Sequence, residues 1–219
     1  MKPKLGRAGS FFLGPAETSS ETPDRRRMPG REMKNVMAES GLRAQPVRLA
    51  ADTLATPLGE LFIVCDDDAL CIVDYDGFDE RVRASLVRRF GAHEFVRTAN
   101  PLGATALLER YFAGDLAAID ALPVNPGGST YQRRVWQALR AIPPGQTRSY
   151  GELAVQLGGT HARAVGQANS LNPIAIVVPC HRVIGADATL TGYAGGLARK
   201  RWLLDHEAAC GKIPLPFYV

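Results

Sequence analysis

No apolar periodicity lasts across residues 1–46, whereas almost every stretch after Val47 carries one. Gly, Pro, Ser, Glu and Arg dominate the first segment, which is expected to be a disordered extension. Met28, Met33 and Met37 leave a later natural start open. From Val47 the pattern changes. Thr56-Pro57-Leu58-Gly59 reads as a turn feeding a strand at Glu60–Val64. The acidic turn Asp66-Asp67-Asp68 separates it from a second strand at Ala69–Tyr75. Glu80–Phe90 and Leu102–Phe112 have helical spacing, the second closed by Gly114. These elements predict a small α/β domain over 47–128, ending in the loop Leu122–Gly128.

Residues 129–219 predict a second, mostly helical domain. Thr130 is placed to cap a helix running through Ile142, with Val135, Trp136, Leu139 and Ile142 on one face, and Pro143-Pro144-Gly145 stops it. Two short helices, Tyr150–Leu157 and Ala162–Ser170, flank the turn Gly158-Gly159-Thr160. This is the spacing of a helix-turn-helix, whose second helix enters a nucleic-acid groove, although plain helical hairpins share it. The apolar run Ile174–Val178 reads as a buried strand ending at Pro179, and Leu197–Ala208 as a closing helix.

Composition sharpens this picture modestly. With 46% hydrophobic residues over 219 positions, the chain can bury a substantial core. No apolar run approaches bilayer length, and Phe11-Phe12-Leu13 is too short for a secretory signal, so neither a membrane partner nor export is expected. Cys65, Cys71, Cys180 and Cys210 form no CxxC pair, which predicts no metal site, no disulfide framework and a reducing, cytoplasmic setting. Charge is unevenly spread. Residues 47–128 hold 7 Lys/Arg against 13 Asp/Glu, and residues 129–219 hold 10 against 4. The basic C-terminal part points modestly towards a polyanion.

The candidate chemistry lies in Pro179-Cys180-His181-Arg182-Val183, where a thiol adjoins an imidazole. A nucleophilic cysteine needs a neighbouring base to reach its thiolate, but most free cysteines are inert core residues. Adjacent side chains diverge in strands and helices alike, so Cys180 and His181 cooperate only across a turn or through a water. The helix Ala162–Ser170 is rich in small residues (Ala162, Ala164, Gly166, Ala168, Ser170) and starts with Arg163, features that suit close approach to a partner backbone.

Taken in order, many motifs carry a resemblance. They are Tyr131-Gln132, Val135-Trp136, Ile142–Gly145, Ser149-Tyr150-Gly151, Arg163–Asn169, Asn172-Pro173, Pro179–Val183, Gly192–Leu197, and Lys200 through Trp202-Leu203-Leu204 to Glu207. Across residues 129–207 the chain resembles the catalytic domain of the O6-alkylguanine-DNA alkyltransferases. Thr56–Val64 and Tyr111-Phe112-Ala113-Gly114 resemble that family's N-terminal half, while the extension matches nothing in it.

The resemblance implies a ribonuclease-H-like N-terminal α/β domain followed by a winged-helix/helix-turn-helix domain. It also implies single-turnover transfer of an alkyl group from O6-alkylguanine, and less well O4-alkylthymine, to a cysteine after base flipping. The partner would be duplex DNA containing alkylated guanine. No cofactor, metal or obligate protein partner is implied, and the protein would act as a monomer. Carried over residue by residue, Cys180 is the acceptor, His181 its base through a water, and Glu207 the support of the imidazole. Tyr150 would donate to the departing purine, Asn172 would brace the turn, and Lys200 would either assist the same charge or face phosphate. Ala162, Arg163, Ala164, Gly166, Gln167 and Ser170 would contact DNA, with Arg163 filling the hole left by the flipped base. Val183, Tyr193, Ala194 and Gly195 would line the alkyl pocket.

Two departures stand out. Asp187-Ala188 replaces the Asp-Gly or Asn-Gly turn common in the family, which predicts strain or a changed loop because alanine resists positive φ. Ala194 removes a serine hydroxyl found in some members. A non-catalytic lesion binder and a cysteine hydrolase are the competing readings. The relay Cys180, His181 and Glu207 argues against the first, and the basic helix-turn-helix against the second.

Overall fold

The computed structural model describes residues 45–75 and 80–211. The expectation of a disordered extension therefore falls, but for its last two residues, outside the described chain. The elements are β1 (Val47–Thr56), β2 (Gly59–Cys65), β3 (Leu70–Tyr75), α1 (Glu80–Phe90), β4 (His93–Arg97), α2 (Ala104–Phe112), α3 (Thr130–Arg140), β5 (Arg148–Ser149), α4 (Tyr150–Gln156), α5 (Ala162–Ser170), β6 (Val183–Ile184) and α6 (Leu197–Gly211). Short 310 turns lie at Pro101–Gly103, Ala118–Ala121 and Cys180–Arg182.

β1 to β4 form a sheet of order β3-β2-β1-β4, antiparallel except where β4 runs parallel to β1. Both sheet faces are covered. Leu49, Ala51, Val64 and Ile72 pack with Val82 and Leu86 of α1. Leu54, Leu61, Ile63, Val73 and Tyr75 share a larger core with Leu108 and Tyr111 of α2 and with Val135, Leu139, Leu153 and Leu203 from the C-terminal part. Each leucine, isoleucine or valine removed from water here contributes about 1.5–3 kcal/mol. Neither β1 nor β4 was expected from the pattern. β1 buries Leu49 and Ala51 on one face and Leu54 on the other, which breaks period-2 alternation, and β4 is a mostly exposed edge.

In the C-terminal part, Ser129 rather than Thr130 caps α3. Its hydroxyl accepts from the Gln132 N–H at 3.2 Å, and Gln132 returns the bond to the Ser129 N–H at 2.7 Å. The helix stops at Arg140, short of Ile142. Trp136 Nε1 donates to the Ala168 carbonyl at 2.9 Å, tying α3 to α5. Gly158 and Gly159, at φ +93° and +79°, make the left-handed turn between α4 and α5.

The run at 174–178 is not a strand. It coils into a buried turn that meets β3 only through a bridge between Val73 and Ile174. Ile176 sits at φ +69°, a conformation rare for a β-branched residue and held only where surroundings enforce it. No helix among the described residues is long and apolar enough to cross a membrane.

Candidate active site

Cys180 opens a 310 turn directly after Pro179, so the chain reverses where the adjacent thiol and imidazole must be re-aimed. Asn172 braces this corner. Its amide donates to the Val178 carbonyl at 2.8 Å and to Cys180 Sγ at 3.1 Å, while its Oδ1 accepts from the Ile174 N–H at 3.0 Å. A donor on the sulfur favours the thiolate over the thiol. From α5, the buried Asn169 reaches the Cys180 carbonyl at 3.4 Å. The helix that would meet DNA thus also holds the cysteine backbone.

His181 and Glu207 are both fully buried, and their side chains meet at 2.8 Å between Nε2 and Oε1. A carboxylate accepts only, so Nε2 carries the proton and Nδ1 keeps its lone pair. Nδ1 is buried without a hydrogen-bond partner among the described residues. Glu207 is held from every side. The Tyr111 hydroxyl donates to Oε1 at 2.7 Å, the Gly145 N–H to Oε2 at 3.2 Å, and Arg182 lies across both oxygens at 2.8–3.2 Å. Arg182 also donates to the Ile142 carbonyl.

Burial pushes the His181 pKa below its ordinary 6.5, overriding the pull of Glu207, so the ring is neutral at rest. For Glu207, burial opposes ionisation, yet the hydrogen bond from His181 and the hydrogen bonds and charge of Arg182 hold the carboxyl far below the usual range. Because the imidazole is neutral, Arg182 is the standing counter-charge. What results is a neutral base oriented by an anion that another residue already neutralises.

Tyr150, the first residue of α4, is half-buried, and burial followed by the nearby Cys180 charge raises its pKa despite hydrogen bonds from Thr191 and Asn169. Its hydroxyl is therefore a neutral donor. Tyr193 is half-buried and meets the hydroxyl of Tyr75, from β3, at 3.0 Å. Gly195 packs under both rings, since a Cβ there would lie 2.8 Å from each. Arg199 stacks 4.6 Å from the Tyr75 ring centre and donates to the Gly195 carbonyl at 3.3 Å. Ala194 is exposed at the rim.

Lys200 is not phosphate-facing. It is fully buried, and Nζ donates to the carbonyls of Val183 and Thr191 at 2.6 and 2.7 Å, clamping the two ends of the loop after the cysteine. Burial lowers its pKa to about 8. Within that loop Ala188 does adopt φ +62°, held by Asp187 accepting from Thr189 Oγ1 at 2.7 Å and by the Ala188 N–H on Gly185. The strain expected of the Asp187-Ala188 pair is present.

On α5, Val165, Ala168 and Asn169 face inward, while Ala162, Arg163, Gln167 and Ser170 are exposed. Arg163, Gln167 and Ser170 follow helical spacing along one ridge. Ala164 is half-exposed beside it. Gly166 instead looks towards Tyr150, whose ring would lie 3.7 Å from an added Cβ. Among the described residues no cluster of three or more His, Cys, Asp or Glu could hold a metal ion.

Residues 130–209 match the family model of the 6-O-methylguanine DNA methyltransferase DNA-binding domain. A methylated-DNA–protein-cysteine methyltransferase from Salmonella typhimurium is 52% identical over 165 residues, 74% of this chain and 96% of that protein. The chain belongs to the methylated-DNA–protein-cysteine methyltransferases. Among solved structures, the Mycobacterium tuberculosis O6-methylguanine methyltransferase superposes with a TM-score of 0.61 at 39% identity, covering 74% of this chain and 93% of that one. The M. tuberculosis OGT in complex with DNA gives 0.63 at 40% identity, covering 75% and 94%. The mixed α/β fold, with its sheet and several helices, matches those methyltransferase structures.

Within this methyltransferase the residues that sequence reasoning left unassigned are Tyr75, Tyr111, Asn169, Arg182 and Arg199. Arg182 sat in view inside the cysteine motif, but only the structure shows that it is buried and paired with Glu207. Tyr111 stood in the stretch Tyr111–Gly114 that resembles the family but carried no role there, and Tyr75 gave no signal, because both come from the N-terminal half and act across more than ninety positions.

Proposed function

We propose that this methyltransferase repairs duplex DNA by moving the alkyl group of O6-alkylguanine, and less readily O4-alkylthymine, permanently onto Cys180. The observation that carries the reading is the buried His181–Glu207 pair, whose free Nδ1 belongs to the residue beside the cysteine. In the reaction the Cys180 proton passes through a water to Nδ1. The sulfur attacks the alkyl carbon in line, an S–C bond forms, and the C–O6 bond breaks with its electron pair going to guanine. The neutral Tyr150 hydroxyl donates to the purine as that charge develops. Glu207 stabilises the imidazolium, and Arg182 keeps Glu207 ionised. Asn172 steadies the sulfur. Lys200 is a positioning residue that acts through the Val183 and Thr191 carbonyls.

To reach the sulfur, the base leaves the duplex. Arg163 stacks into the gap, supported by Ala162, Ala164, Gln167 and Ser170 along α5, and Gly166 gives Tyr150 room. Tyr193, Ala194, Gly195 and Val183 enclose the alkyl group. In the finer fold reading, the order β3-β2-β1-β4 with β4 parallel supports a ribonuclease-H-like first domain at 47–128. The α4–α5 pair and the short β5–β6 ladder support a winged helix at 129–219. The protein works as a monomer in a reducing compartment, in keeping with the buried free thiols Cys65 and Cys71.

The test is incubation with an O6-benzylguanine-type base followed by intact mass and peptide mapping. One benzyl group on the peptide holding Cys180 is expected, with none on Cys180→Ala. An unmodified mass would favour a lesion binder, and repeated turnover a hydrolase.

A further inference from the structure

Two hollows adjoin on the surface beside α5, and they lead away from the cysteine. One, of about 260 Å³, runs from Ala164 and Gln167 on α5 to Ser129 and Gln132 at the start of α3. The other, of about 350 Å³, shares Ser129, Gln132 and Leu171 and continues to Ser85, Arg88 and Arg89 at the end of α1. The two hollows share the wall formed by Ser129, Gln132 and Leu171, so this side of the surface runs from the exposed ridge of α5 to two arginines of the N-terminal half.

The far end is arranged around a cation. Gly127 and Gly128 adopt φ +65° and +75° and curve the chain over Arg89, and a Cβ at Gly127 would lie 2.6 Å from Arg89 Cδ. Arg89 spends one terminal nitrogen on the Asn125 carbonyl at 2.5 Å. Its other, Nη1, is buried with no acceptor among the described residues. Such a nitrogen costs free energy unless an acceptor satisfies it, and a phosphate oxygen is one that also matches the guanidinium charge. Arg88 is exposed and lines the larger hollow. Midway, the first turn of α3 adds the positive end of its helix dipole to the Ser129 and Gln132 side chains.

We infer that this side of the surface is a second phosphate track, in which Arg88 and Arg89 bind the backbone of duplex DNA flanking the site held by α5. The inference rests on the proposed DNA-repair reading and extends its footprint into the N-terminal half. Guanidinium groups spaced beyond a base-reading helix suit phosphates, which position the protein without reading sequence. Lengthening the duplex past the reach of α5 then adds affinity that depends on salt and not on sequence.

The experiment measures affinity against salt for the full chain on a short duplex spanning only α5 and on a longer one, using wild type, Arg88→Gln and Arg89→Gln. On the long duplex, each lost phosphate contact lowers the salt slope by about 0.9, or about 5-fold in affinity near 0.15 M salt. On the short duplex, and in reaction with free O6-benzylguanine, Arg88→Gln matches wild type. Arg88 is exposed, so this variant reports even if Arg89→Gln is misfolded. An Arg88→Gln slope equal to wild type on the long duplex overturns the track and leaves the repair reading intact. Absence of any salt-dependent DNA binding by wild type overturns both.

Discussion

Arg182 shows how much one side chain settles at this site. It is nearly buried, spans both oxygens of Glu207 and neutralises an anion that the low-dielectric interior would otherwise reject. Removing one partner of such a pair leaves the other uncompensated and costs about 3–5 kcal/mol. Arg182→Gln is therefore expected to lower stability by that amount in urea unfolding and to slow alkyl transfer in whatever folded protein remains. Glu207→Gln, which leaves the buried Arg182 guanidinium without its anion, is expected to cost a comparable amount in stability and to be severe in rate. Equal, small effects of both on stability would mean that Arg182 is not the standing counter-charge. This pairing was not legible from the chain. Cys180 and His181 could be picked out as chemistry from their adjacency, whereas Glu207 lies 26 residues from His181 and no local period brings them together. Resemblance supplied the glutamate, and only three-dimensional packing supplied the arginine and Tyr111.

At the level of elements, legibility followed the kind of burial each segment undergoes. α1 and α5 occupy the residues expected because each has one wet and one dry face, so a 3.6-residue period is written into it. β1, covered on both faces, and β4, a mostly exposed edge, show no alternation. The run at 174–178 had the composition of a buried strand, but Asn172 takes up the Ile174 N–H and Val178 C=O that a ladder would need, and a coiled turn results. The loop from Gly185 to Thr189 is where sequence and structure agree on strain. Ala188 pays for its left-handed backbone at about 1 kcal/mol or more. Ala188→Gly is expected to stabilise the protein by about 0.5–1 kcal/mol in chemical denaturation, after allowing for the larger unfolded-state entropy of glycine. No gain, or a loss, would show that the alanine backbone is relaxed there.

For the molecule as a whole, the buried ionisable groups predict a stability curve with a distinct cause on each side. Folding depresses the His181 pKa, so below the ordinary value of 6.5 the unfolded chain takes up a proton that the native state refuses. Stability then falls as pH drops through that window, and transfer slows once the native ring itself protonates. Glu207, also depressed, extends the loss below its ordinary 4.5. On the alkaline side Lys200 acts in the opposite sense from a surface lysine. Its native pKa of about 8 lies under the ordinary 10.5, so between these values the unfolded chain holds a proton that the native protein has released, and stability rises with pH. The full span corresponds to about 3 kcal/mol. Burial pushes Cys65 up to about 12 and Cys71 up to about 11, so above 9.0 these thiols pull the total back down. The Lys200 contribution is therefore read as a difference between wild type and Lys200→Met in urea unfolding from pH 7.5 to 10. The wild type gains relative to the variant as pH rises, because the variant lacks the proton that is released. A difference that stays flat would mean that the ammonium, donating to Val183 and Thr191, keeps an ordinary pKa despite its burial.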